Sequence, residues 1–213
     1  MSADATVLLV RHGETAWNRE NRVQGWAPVG LADSGREQAR ELGAHLASVY
    51  AIDRVVASDL RRARETAALL HEAGVPPTPT YTRRWRERDV GVYQGLSKEQ
   101  LFGRYPEFRA TTGVMGVRSR PAGGESLLDL RERVLAAWED LLAGADPGET
   151  ALVVTHSGPI YTLLGHLAGT DLPSAFVEHS QDNCALTEVH VPGDTSESGD
   201  WGAARIVREN ERP

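Results

Sequence analysis

The 213-residue sequence contains one cysteine, Cys184, so it has no internal disulfide and no cysteine-based zinc cluster. It has no apolar run close to the ~20 residues that a membrane-spanning helix needs, so we expect no integral membrane protein. Residues 1–6 are short and polar and lead straight into the first apolar run, so we expect no signal peptide. Together these absences favour a cytoplasmic location.

Lysine is scarce, and acidic residues outnumber basic ones by 30 to 23. The net charge is −7, and Lys98 is the single lysine. Domains that bind nucleic acid are usually basic, so we expect no such partner. Residues 83–120 depart from this balance, because they include nine basic and four acidic residues. The rest of the chain has a net charge of −12. A basic stretch can focus an anionic ligand at one place, although charge runs are more often solvated helical faces.

Short, unbroken apolar runs alternate with helical patterns. The runs at 6–10, 55–57 and 151–154 predict buried strands, and two later strands are predicted at 185–191 and 201–207. Helices are predicted at about 34–49, 59–73, 125–143 and 158–167, the first of them with a capping box formed by Ser34 and Glu37. This alternation predicts an α/β fold with a mainly parallel central sheet and helices on both faces.

A single domain is expected over residues 1–213. Periodicity is weak from about 96 to 124, and we interpret this segment as a small insertion of helix and loop that acts as a lid. Its arginines are candidates for gripping a second anionic group of a substrate: Arg104, Arg109, Arg118 and Arg120.

Two predicted strands end directly in a histidine. Arg11 and His12 end the first strand, and His156 ends the strand at 151–154. Ligands of open α/β sheets bind beyond the carboxyl ends of the strands, so both imidazoles are expected at one edge, beside Arg62. The guanidinium fork matches phosphate oxygens, whereas no ligand spacing typical of zinc is visible. The pattern favours an anion site without a metal.

Several blocks follow one another in the order of a known family. Residues 11–18, read R-H-G-E-T-A-W-N, resemble the signature of the histidine phosphatase superfamily, also called the phosphoglycerate mutase-like family. Further similar blocks begin at Gln24, Leu31, Ser58, Glu87, Gly124 and Val154. The resemblance covers about residues 6–190 and implies the α/β fold of that family and phosphoryl-transfer chemistry.

The resemblance also implies a role for each matched residue. His12 is the expected nucleophile that forms a phosphohistidine, and Glu87 is the expected proton donor to the leaving oxygen. Sequence reasoning leaves Glu14 and Glu125 as alternatives to Glu87, and leaves a helix cap as the alternative role of Asn18. The residues expected to bind the phosphate are Arg11, Gly13, Asn18, Gln24, Gly25, Arg62, a protonated His156 and Ser157.

The predicted function is hydrolysis of the phosphate monoester of a small metabolite, with no metal and no cofactor. The alternative is a phosphoglycerate mutase, for which 2,3-bisphosphoglycerate is the expected cofactor. Such mutases usually have a longer insertion before the second histidine and carry Ser or Thr in place of Gln24, and both departures favour a phosphatase. A non-catalytic module that binds phosphate ligands is a remoter alternative. The sequence leaves the oligomeric state open, with a homodimer as one option.

Overall fold

The computed structural model describes residues 4–109, 114–193 and 204–213. In these ranges the apolar runs form one sheet in the order β3-β2-β4-β1-β5-β6. The strands are β1 (Ala5–Arg11), β2 (Arg54–Ser58), β3 (Thr80–Thr82), β4 (Thr150–Thr155), β5 (Leu186–Val191) and β6 (Arg205–Glu211). The first four are parallel to one another, and β5 and β6 are antiparallel additions at one edge. The sheet is mixed but mainly parallel, as predicted.

Helices cover both faces of this sheet, so its central strands have no polar face. The α-helices of the described residues are α1 (Ala16–Arg19), α2 (Asp33–Val49), α3 (Arg61–Glu72), α4 (Lys98–Arg104), α5 (Val114–Arg118), α6 (Leu127–Ala143), α7 (Ser157–Ala168) and α8 (Leu172–Glu178). Residues of α2 and α3 pack on Leu8, Val10 and Val154, whereas residues of α6 and α7 pack on Leu9 and Val153. Alternate side chains of each strand therefore enter separate cores.

The parallel register brings the predicted strand ends together. Arg11 pairs with Thr155, so the chain leaves β1 and β4 side by side at the carboxyl edge of the sheet. The backbone N–H of His12 continues this pairing by donating to the carbonyl of Thr155 at 3.0 Å. His12 and His156 consequently begin adjacent loops.

Three local expectations were wrong or incomplete. The helix after residue 32 begins at Asp33, and Ala32 caps it without a side-chain hydrogen bond. Ser34 forms no capping box with Glu37, because its hydroxyl donates to Glu14 Oε2 at 2.5 Å instead. The last strand was predicted at 201–207 and lies at 205–211. Residues 201–203 of the predicted strand lie outside the described ranges. The sequence reading also missed β3 and α8.

The segment interpreted as a lid contains α4, a 3₁₀ turn at 106–108 and α5. Ser97 begins α4 with a capping box, since its hydroxyl accepts from the N–H of Gln100 while the Gln100 side chain accepts from the N–H of Ser97. Residues 110–113 of this segment lie outside the described ranges. Across the described residues, no helix combines the length and apolarity that crossing a membrane requires.

Candidate active site

The loop after β1 is held by two helices. Gly13 and Gly35 lie in contact, and neither position has room for a side chain. A Cβ at Gly13 would overlap with the carbonyl oxygen of Gly35, and a Cβ at Gly35 would overlap with that of Glu14. Thr66 of α3 accepts from the N–H of Gly13 at 3.0 Å, and Gln38 of α2 accepts from that of Glu14 at 3.0 Å. Gly13 therefore admits a neighbouring helix, its N–H is bonded to Thr66, and it lies outside the lining of the cavity described below.

The contacts of His12 fix its tautomer. Nδ1 lies 2.7 Å from the carbonyl of Gly13, which only accepts, so Nδ1 carries the proton. Nε2 lies 3.2 Å from Nε of Arg62, which only donates, so Nε2 carries a lone pair. Burial, followed by the charges of Arg62 and Arg11, holds the pKa of His12 well below its usual value. The ring is therefore neutral at pH 7, with its unprotonated nitrogen directed at Arg62.

His156 lies directly against this ring, with 5.1 Å between the ring centroids. Its Nε2 is 2.8 Å from Ser58 Oγ, and its buried Nδ1 has no hydrogen-bond partner among the described residues. Burial, followed by the charge of Arg62, holds the pKa of His156 well below its usual value. The lowered pKa favours a neutral imidazole in the absence of a bound anion, and the expected protonated form belongs to the site with phosphate bound.

Two arginines supply the positive charge around His12. Arg62 is 1% exposed, and its Nη groups donate to the carbonyls of Gly25 at 2.8 Å and Ala27 at 3.3 Å. Burial lowers the pKa of Arg62 to about 10, so it stays charged at neutral pH. Arg11 donates from Nη1 to the carbonyl of Gln181 at 2.6 Å, and its buried Nε has no partner among the described residues. Both side chains line the cavity described below.

Glu87 approaches the site from the loop that follows β3. Its Oε2 accepts from Ser157 Oγ at 3.3 Å and from the N–H of Gly158 at 3.2 Å, both at the start of α7. Its Oε1 accepts from the N–H of Arg88 at 2.8 Å. A Cβ at Gly158 would overlap with Oε1, so only glycine leaves room for this carboxylate. The helix start and the acid are therefore fitted to each other.

One cavity of about 870 Å³ opens above these groups. Nine of the residues predicted for the site line it: Arg11, His12, Asn18, Gln24, Gly25, Arg62, Glu87, Arg109 and Ser157. Asn18 also fulfils the alternative expectation, because its Oδ1 accepts from the N–H of Thr15 in a capping box at α1. Gly25 has φ +49°, a backbone conformation that favours glycine. The buried Oε1 of Gln24 has no partner in the described structure.

The carboxylate alternatives separate clearly. Glu14 bonds to Arg19 and Ser34, and Glu125 bonds to Arg133, both away from the cavity lining. Of the three carboxylates that the sequence left open, Glu87 is the one that lines the cavity.

Of the four arginines predicted in the lid, the structure places Arg109 at the cavity and the other three outside its lining. Arg104 and Arg118 are exposed and outside the cavity lining, and Arg120 pairs with Asp129 at 2.6 Å. Arg109 does line the cavity, and its guanidinium lies 5.3 Å from the ring centre of Phe102. Sequence spacing alone does not show which side of a short helix faces the cavity, so the four could not be separated.

Other cavity residues were missed altogether. The missed cations are Arg22, Arg88 and Lys98, and the missed aromatic and imidazole side chains are Phe102, Phe108, Tyr161, Phe176 and His179. Arg88 and Lys98 belong to the basic stretch 83–120, which was the available signal. The others carry no sequence pattern that distinguishes them from packing residues.

Paired buried imidazoles, two charged arginines and an unprotonated ring nitrogen, all at the carboxyl edge of an α/β sheet, define the class of site that handles phosphoryl groups. The family model of the histidine phosphatase superfamily (branch 1) matches residues 7–203. The chain belongs to this superfamily of enzymes.

Similar proteins include both phosphatases and mutases. The chain is 32% identical over 210 residues to the glucosyl-3-phosphoglycerate phosphatase of Mycolicibacterium vanbaalenii, covering 95% of this chain and 90% of that one. It is 33% identical over 183 residues to the 2,3-bisphosphoglycerate-dependent phosphoglycerate mutase 2 of Gloeobacter violaceus, covering 82% of each. The solved structure of a mycobacterial glucosyl-3-phosphoglycerate phosphatase matches with a TM-score of 0.77 and 27% identity, covering 97% of this chain and 99% of that chain.

Proposed function

We propose that this chain hydrolyses the phosphate monoester of a small metabolite through a phosphohistidine at His12. The observation that carries the proposal is the Nε2 lone pair of His12, which the Gly13 carbonyl and the Arg62 guanidinium keep unprotonated. A neutral imidazole with a fixed tautomer is a nucleophile at neutral pH without further activation.

In the first step Nε2 attacks phosphorus in line with the ester oxygen. The N–P bond forms as the P–O bond breaks, and the proton of the phosphate monoester monoanion passes to the Glu87 carboxylate and from there to the departing oxygen. The lone pair of His12 Nε2 is used in the new N–P bond, so it no longer accepts from Arg62. The Nε–H of Arg62 then donates to a phosphate oxygen instead. In this scheme Arg11, which lines the cavity, binds another phosphate oxygen. His156 lies beside His12 but outside the cavity lining, and it binds a phosphate oxygen through Nδ1 after taking up a proton that the phosphate charge stabilises.

In the second step water attacks the phosphohistidine. Glu87, now a carboxylate, takes a proton from the water as the new P–O bond forms and the N–P bond breaks. Orthophosphate leaves, and His12 regains its lone pair. No metal takes part in this scheme, because the arginine charges stabilise the transferred group.

The rest of the cavity supports a substrate with a second anionic group. Lys98, Arg22 and Arg109 line the cavity together with the rings of Phe102 and Phe108. Their charges favour a carboxylate or another phosphate on the part of the substrate that leaves. The phosphoglycerate derivatives named for the relatives carry such a group.

A mutase is the second candidate, supported by the similarity to the Gloeobacter enzyme. It differs in passing the phosphoryl group to another hydroxyl and excluding water meanwhile. The discriminating experiment measures orthophosphate release and phosphoryl exchange across a panel of phosphorylated metabolites, with and without 2,3-bisphosphoglycerate. A phosphatase releases orthophosphate without it, and the His12→Ala variant releases none. Exchange that requires 2,3-bisphosphoglycerate, with little release, contradicts the proposal in favour of the mutase.

A further inference from the structure

Arg133 of α6 binds the loop that carries Glu87 at three backbone carbonyls. Its Nη1 donates to the carbonyls of Arg84 at 2.8 Å and Arg86 at 2.9 Å, and its Nη2 donates to the carbonyl of Glu87 at 3.2 Å. The loop leaves its 3₁₀ turn at Trp85, so no helix ladder or strand accounts for the Arg86 and Glu87 carbonyls. The Glu87 carbonyl also accepts from Nε1 of Trp26 at 2.7 Å, whereas the guanidinium of Arg133 joins all three carbonyls of this loop.

The same guanidinium forms a two-point pair with Glu125. Its Nε lies 2.9 Å from Oε1 and its Nη2 lies 2.8 Å from Oε2, with both side chains less than one-fifth exposed. A two-point pair fixes the plane of the guanidinium as well as its position. Glu125 thus holds Arg133 in the orientation in which its Nη groups meet the three carbonyls.

Glu125 also holds the chain beyond Glu87. Its Oε2 accepts from the N–H of Asp89 at 3.0 Å, and its own N–H donates to the carbonyl of Asp89 at 2.8 Å. Its carbonyl accepts from Nε of Arg88 at 2.8 Å. The residues before and after Glu87 are therefore tied to one ion pair.

We propose that the Arg133–Glu125 pair is the positioning device for the Glu87 carboxylate in proton transfer. The proposal rests on the proposed function, since it acts through Glu87 as proton donor. Neither Arg133 nor Glu125 lines the cavity, so neither is a catalytic residue. Misplacing a reacting group by about 1 Å costs up to about 100-fold in rate, so the pair affects kcat without contacting substrate.

The test is a double-mutant cycle between Arg133→Gln and Glu87→Gln, measured on an alkyl and an aryl phosphate. An alkoxide leaves only when it is protonated, whereas a phenolate whose phenol has a low pKa leaves with little protonation. Loss or misplacement of the acid therefore lowers kcat selectively on the alkyl ester. We expect Arg133→Gln to lower kcat on the alkyl phosphate by about 10- to 100-fold, with a smaller loss on the aryl phosphate. In the Glu87→Gln background the same change should add little, because the acid is already absent.

Two further variants separate positioning from stability. Arg131→Gln removes an exposed arginine from the same helix and is expected to leave both rates unchanged. Glu125→Gln keeps the shape of the side chain but weakens the two-point pair, and it should reproduce the selective loss if Arg133→Gln does not fold. Melting temperatures of all variants show which losses accompany unfolding.

The outcomes distinguish the two levels of the account. If Glu87→Gln shows no preference between the two esters, Glu87 is not the proton donor and the proposed function fails in that step. If Glu87→Gln shows the preference but both pair variants, while folded, lose activity equally on both esters, the positioning role is overturned. Losses that multiply in the Glu87→Gln background overturn it as well.

Discussion

Arg62 donates its Nε–H to Nε2 of His12 across 3.2 Å, so the buried cation points at the lone pair that the reaction needs. The same charge, after burial, keeps the pKa of His12 below its usual value and so prevents the ring from taking up a proton. Arg62 is itself bound to the carbonyls of Gly25 and Ala27, which hold it in place. In the proposed mechanism, the neighbours of His12 thus keep the nucleophile unprotonated before substrate binds.

Replacing Gly158 should disable the acid without changing residue 87 itself. In Gly158→Ala the new methyl group overlaps with Glu87 Oε1, so the carboxylate must leave its present position. We expect kcat on an alkyl phosphate to fall by about 100-fold and kcat on an aryl phosphate to fall less. Gly103→Ala, at a helical glycine whose Cβ would meet nothing within 4 Å, is the matched control. Equal activity of the two alanine variants would contradict the fit between helix and acid.

The buried histidines should make the fold sensitive to acid. The unfolded chain takes up protons at histidine below about pH 6.5, whereas the lowered pKa values of His12 and His156 keep the folded rings neutral. Stability should therefore fall as the pH drops below about 6.5, because the unfolded chain then binds protons that the folded rings do not. Urea unfolding at pH 7.5, 6 and 5 measures this, and His156→Gln should reduce the slope. An unchanged slope in that variant contradicts the neutral, buried state of His156.

Substrate selection should depend on cations that line the cavity. Lys98→Ala and Arg109→Ala are expected to raise KM for an anionic metabolite and leave kcat nearly unchanged, because in the proposed function these cavity residues bind the part of the substrate that does not react. The effect should weaken at high salt and be absent with a simple aryl phosphate. The exposed Arg104→Ala and Arg118→Ala are matched controls. A fall in kcat on both substrates would instead assign these cations to the phosphate pocket.

Chelators should leave activity intact. The described residues contain no group of three or more His, Cys, Asp or Glu side chains that could hold a metal ion, and Arg11 and Arg62 supply the positive charge. We expect full activity after treatment with EDTA, and competitive inhibition by vanadate, which resembles the transferred phosphoryl group. Loss of activity in EDTA that zinc or magnesium restores would contradict this scheme.

The sequence was sufficient for the parts of the site that lie on regular elements. His12 and His156 follow buried strands, and parallel pairing brings the ends of such strands together. It was insufficient where short helices and loops determine which way a side chain points. The sequence therefore did not show that Lys98 lines the cavity and Arg104 does not. Ser34 shows the same limit. The sequence pattern of a capping box does not reveal that the Ser34 hydroxyl donates to Glu14, twenty residues earlier.

The most direct test is to trap the intermediate. The protein is mixed with a substrate, quenched within milliseconds in alkali, where phosphohistidine survives, and digested for mass spectrometry. The account predicts a phosphoryl group on the peptide that contains His12, formed and lost at rates that match turnover, and none in His12→Ala. Steady turnover with no phosphorylated His12, or a phosphoryl group on another residue, would contradict it.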